Sequence, residues 1–109
     1  MERVKSTFGE LPVNYGMNAM ALFSEMRGMS MTDTVNLDAG RLGLTDYLTL
    51  LYVGLKDGAR KAKEEFVFGS FEDFCDYADE HTEIVGDVAS IFAGQQKEKE
   101  EKGEPVKKK

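Results

Sequence analysis

One cysteine, one histidine and two prolines are all that these 109 residues hold of those three types. A lone cysteine excludes an internal disulfide framework and fits a reducing compartment. A zinc site needs about four clustered Cys, His or carboxylate ligands, and that cluster is missing. The single histidine, His81, falls at an expected helix end and reads as a solvated terminal residue. No serine–histidine–acid order can be assembled around it. Also missing is an apolar run near the ~18 to 20 residues that span a bilayer. The opening Met1-Glu2-Arg3-Val4-Lys5 lacks the apolar centre of a signal peptide. Positive charge is scarce: the net charge is −6, and the stretch from Gln95 onward, with six Lys and four Glu, leaves −8 on residues 1–94. Such an acidic body argues against nucleic-acid binding, which needs clustered Lys and Arg to displace counterions. The expectation is a single soluble domain in a cytoplasm, with no membrane and no nucleic acid among its partners.

What is present is led by the stretch Leu44–Leu55. Leu44, Tyr47, Leu48, Leu51, Tyr52 and Leu55 recur at steps of three and four, one face of an α-helix. Leu50 and Val53 widen that face until the helix is apolar nearly all round, which predicts burial on several sides. Thr45 is the expected cap, Asp46 suits the first turn, and Asp57-Gly58 is the expected stop.

Before it, Val4, Ser6 and Phe8, then Leu11, Val13 and Tyr15, alternate as two strands, with Gly9-Glu10 fitting a type II′ turn. Pro12 calls for an edge position. A helix capped by Asn18 follows, with Ala19, Leu22, Phe23 and Met26 inward and Gly28 at its end. Ser30 or Thr32 is placed to start a short helix carrying Met31 and Val35, and Gly40 and Gly43 read as loop. After Gly58 a further helix is expected over Ala59–Phe66, broken at Val67-Phe68-Gly69. Ser70 with Asp73 makes a near capping box for a helix bearing Phe71, Phe74, Cys75 and Ala78. A restart at His81-Thr82 leads to a last helix with Ile84, Val85, Val88, Ile91 and Phe92 inward. The folded body is expected over 1–94 and a flexible charged tail over 95–109, disordered after Gly103. The fold class is therefore mainly α, with four to five helices and an N-terminal β-hairpin.

Candidate chemistry is thin. Cys75, on an inward stripe, behaves as a small hydrophobe. Asp33–Gly40 lacks the spacing of a calcium loop, and the glycines follow no phosphate-cradling pattern. Asp73, Asp76, Asp79, Glu80 and Glu83 read as a solvated helix face. No cofactor, metal or catalytic residue is expected. Methionine stands out instead, with Met17, Met20, Met26, Met29 and Met31 inside fifteen residues. Flexible Met surfaces recur where proteins hold varied apolar partners. Core filling is the competing reading, and it suits Met26 best. Met20, Met29 and Met31 are the candidate partner-binding residues.

The order of these elements resembles a known family. A hairpin leads into Asn18-Ala19-Met20-Ala21-Leu22-Phe23-Ser24-Glu25, then Leu50-Leu51-Tyr52-Val53-Gly54-Leu55-Lys56, then Ser70-Phe71-Glu72-Asp73-Phe74 and a last apolar helix with a charged tail. This is similar to the tail assembly chaperones of long-tailed bacteriophages and prophages, over about residues 4–93. The Met-rich linker with Gly40 and Gly43 departs from that pattern and leaves the second helix open. The resemblance implies a non-enzymatic protein of the bacterial host cytoplasm. It would bind the long helical tape measure protein, self-associate, and yield to tail-tube protein. It also implies a longer product made by a ribosomal slip near the Lys107-Lys108-Lys109 end. Two other classes remain: a generic helical interaction or regulatory module, and an enzyme subunit whose catalytic residues come from another chain.

Overall fold

Seven regular elements and one 3-10 turn follow each other along the chain. They are β1 (Arg3–Ser6), β2 (Gly9–Pro12), α1 (Met17–Arg27), α2 (Met31–Val35), the 3-10 turn Ala39–Arg41, α3 (Leu44–Ala62), α4 (Phe71–Glu80) and α5 (Glu83–Lys107). The structure, a computed structural model, describes residues 1–107, without the side chains of Met31, Val35, Ala39 and residues 97–107. The architecture is the expected one, five helices with an N-terminal antiparallel hairpin. Most of the expected charged tail lies outside the described side chains. Gln95 belongs to the body, since its Oε1 accepts a hydrogen bond from the Tyr15 backbone N–H at 3.1 Å.

The hairpin pairs Val4 with Leu11 and Ser6 with Gly9. Its turn is therefore Thr7-Phe8, two residues earlier than the Gly9-Glu10 turn expected. Neither Thr7 nor Phe8 has a positive φ, which excludes the primed turns, while Gly9, directly after the turn and paired with Ser6, takes a positive φ of 99°. The turn is docked rather than free. The Thr7 N–H donates to the Tyr77 hydroxyl at 2.9 Å, and Phe8 packs on Phe68 and Tyr77.

Helix α3 is the buried axis of the fold. Leu50, Leu51 and Val53 are fully buried and Tyr52 and Leu55 nearly so, as an all-round apolar stretch requires. Three expectations at its ends need correction. Gly43 stands at the N-cap in place of Thr45, and no side chain caps there. Leu44 is 73% exposed, so the inward face begins later than its periodicity implies. The helix does not stop at Asp57-Gly58; it continues to Ala62 and ends at Lys63, in the left-handed conformation at φ 59°. Of the separate helix expected over Ala59–Phe66, Ala59 to Ala62 form the last turn of α3 and residues 63–66 lie beyond its end.

The reason the helix runs through Gly58 is packing. The segment from Pro12 to Gly16 crosses α3, and Gly54 and Gly58, one turn apart, let it touch the helix backbone. A Cβ at Gly54 would lie 2.2 Å from the Tyr15 ring, and one at Gly58 would lie 2.1 Å from the Pro12 carbonyl oxygen. The contact is secured by hydrogen bonds, from Asn14 N–H to the Gly54 carbonyl at 3.0 Å and from the Tyr15 hydroxyl to the Leu50 carbonyl at 2.7 Å.

Elsewhere local signals hold. Gly28 ends α1 in the left-handed conformation, Ser30 caps α2 and Ser70 caps α4, each serine accepting from an Asp N–H three residues on. α1 begins one residue before Asn18, with Gly16 at its N-cap. Phe74, Ala78, Ile84, Val88, Ile91 and Phe92 close the core from α4 and α5.

Substituting Gly54 or Gly58 with Ala should lower stability by about 3 kcal/mol, overpacking outweighing the ~1 kcal/mol gain in helix propensity. Gly86→Ala on α5, where a Cβ meets nothing within 4 Å, should instead raise the melting temperature. Thermal melts of the three variants check both signs. A second expectation concerns alkaline pH. Burial pushes the Tyr15 hydroxyl well above its ordinary value, with Tyr47 adding to the effect. Folded Tyr15 therefore keeps its proton where the unfolded chain loses it. This stability is complete below about pH 10 and is lost as pH rises beyond it. Denaturant titrations across that range should show a shallower alkaline loss for Tyr15→Phe, beginning from a neutral-pH stability lower by about 1 kcal/mol.

Candidate interaction surface

Where α1 lies along α3, the small side chain of Ala19 and the half-buried Leu22 leave a groove against Val53 and Ala59 of α3. Phe66, just past the end of α3, forms its far wall. The groove encloses about 340 Å³. Phe66 is held edge-on to Tyr52, with ring centroids 5.4 Å apart, and to Phe68 at 5.7 Å. That aromatic cluster runs on through Phe71, Phe74 and Tyr77, so the wall is anchored in the core. Aromatic pairs of this geometry add ~0.5–1.5 kcal/mol beyond area burial.

Charged groups rim this floor. Asp57 is buried at 4% exposure, yet both its oxygens are satisfied. Oδ2 accepts from Asn14 Nδ2 at 2.8 Å, and Oδ1 accepts from Arg60 Nε and Nη2 at 3.0 and 2.8 Å. The aspartate ties the crossing segment to α3 and fixes the Arg60 guanidinium beside the groove. Glu64 is held by Arg3 of β1 at 2.7 Å, and that pair keeps the Glu64 carboxyl below its usual range. Lys56 is exposed at the mouth, with Nζ 5.9 Å from the centre of the Tyr52 ring.

The residues singled out by sequence fall elsewhere. Met20 on α1 and Met29 after its end are half-buried and pack on the core, as Met26 does. Ser24 Oγ donates to the Met29 carbonyl and fixes that turn. Met31 belongs to α2, and its side chain lies outside the described residues. Of the clustered methionines whose side chains are described, the one open to solvent is Met17, at 84% exposure. Its place at the first turn of α1, before the inward stripe begins, is the signal that marks it. By sequence Asp57 belongs to an expected helix stop, yet it lies within α3. A buried carboxylate in mid-helix has no sequence signature apart from its glycine neighbours.

The remaining candidates have structural surroundings. Burial, then Asp76 and Glu72, push the Cys75 thiol up, so it stays protonated. His81 closes α4 and stacks on Tyr77 at 4.4 Å, with Nδ1 3.7 Å from Glu83. Asp73, Asp76, Asp79, Glu80 and Glu83 are all exposed, as a solvated face requires. Among the described residues no group of three or more His, Cys, Asp and Glu is placed to hold a metal ion, and no helix is long and apolar enough to cross a membrane. Compared with known proteins, the chain matches no family model, no curated sequence and no solved structure.

Replacing Asp57 with Ala should cost about 2 kcal/mol. It leaves Asn14 without its acceptor inside the crossing, while the partly exposed Arg60 regains water. Asp57→Asn should cost less. Urea denaturation of the two variants gives the comparison.

Proposed function

We propose that this protein is a non-catalytic chaperone of phage tail assembly, which holds the helical tape measure protein in the host cytoplasm until tail-tube protein replaces it. The observation that carries the reading is the groove between α1 and α3, whose accessible apolar lining comes from the half-buried Leu22 and Phe66. A long amphipathic helix offers apolar surface of the matching kind, and covering it prevents aggregation. The succession of hairpin, first helix, long buried helix, capped acidic helix and terminal helix also supports the resemblance seen in the sequence. Coating a rod requires many copies, so self-association belongs to the proposal. A generic helical interaction module would share the groove but would bind one partner in a fixed small complex.

The test is co-purification with the tape measure protein from cells producing both. Truncating the groove residue Leu22 to Ala should weaken recovery several-fold, and the same change at Met20, Met29 and Met31, the candidates read from the sequence, tests whether the partner also touches that stretch. The half-buried Met20 and Met29 should each cost about 1 kcal/mol of stability, less than the ~2–5 kcal/mol of a fully buried Met. Unfolding of the triple variant, seen by circular dichroism, would assign these side chains to the core. Absence of any complex with the unaltered chain would overturn the chaperone reading.

A further inference from the structure

We draw no further inference here: the strongest candidate, the surface patch where the exposed Phe8 of the hairpin turn meets Tyr77 beside the acidic outer face of α4, carries nothing because nothing in the structure shows what covers it.

Discussion

The fold depends on one close crossing. An extended segment, Pro12 to Gly16, is laid directly on the backbone of α3, with no side chain of the helix between them. Glycine at 54 and 58 makes the approach sterically possible, and Ala at either site would place a carbon inside Tyr15 or the Pro12 carbonyl. Backbone polar groups brought this near to an apolar helix must be paired, because an unmade hydrogen bond in a buried place costs ~1–3 kcal/mol. They are paired: Asn14 with Gly54, Tyr15 with Leu50 and Gln95, and the Asn14 amide with Asp57. Through this crossing the hairpin, α3 and α5 become one unit. Tyr15 also stacks edge-on against Phe92 at 4.8 Å, joining the terminal helix to the same point.

The candidate interaction surface follows from that arrangement. The crossing segment covers α3 at Gly54 and Gly58, while α1, with Ala19 and Phe23 buried, lies beside the same helix between Asp46 and Arg60 and leaves space beside Leu22. Asp57 links the two features. It holds Asn14 on one side and Arg60 on the other, so the crossing and the charged rim of the groove share one carboxylate. Such a buried acid is tolerable only when every lone-pair direction finds a donor. The groove floor is apolar for the same reason that α3 is apolar all round: neighbours cover most of its circumference but not all of it.

Legibility in the sequence varied with the range of the forces involved. Local devices were readable in part, for Gly43 and Gly16 stand at the caps expected of Thr45 and Asn18. Ser70 with Asp73, Ser30 with Asp33 and the Gly28 terminus act within four residues, and each is found where the residue types place it. Readings that treated glycine only as punctuation were not reliable. Gly58 is a packing residue inside a helix, and Gly9 follows its turn rather than opening it. Methionine clustering was legible as a composition signal, yet Met20 and Met29 share their surface with the core while Met17 is open to solvent. The groove itself had no sequence signature. It is assembled from single residues of α1, α3 and the following loop, separated by up to 48 positions between Asn18 and Phe66.

By itself, the sequence determined a helical domain with an N-terminal hairpin, a central helix buried over Leu50–Leu55 and an acidic exposed face on α4. Periodicity and capping are enforced within one or two turns, and hydrophobic burial needs only the count and spacing of apolar residues. Tertiary structure alone decided where α3 ends, which glycines are contact points, how Asp57 is satisfied and where apolar surface stays uncovered. Those outcomes depend on distances between residues far apart in the chain. A Cβ that would clash at 2.1 Å leaves no trace in the local pattern around Gly58, because the atom it would meet belongs to Pro12.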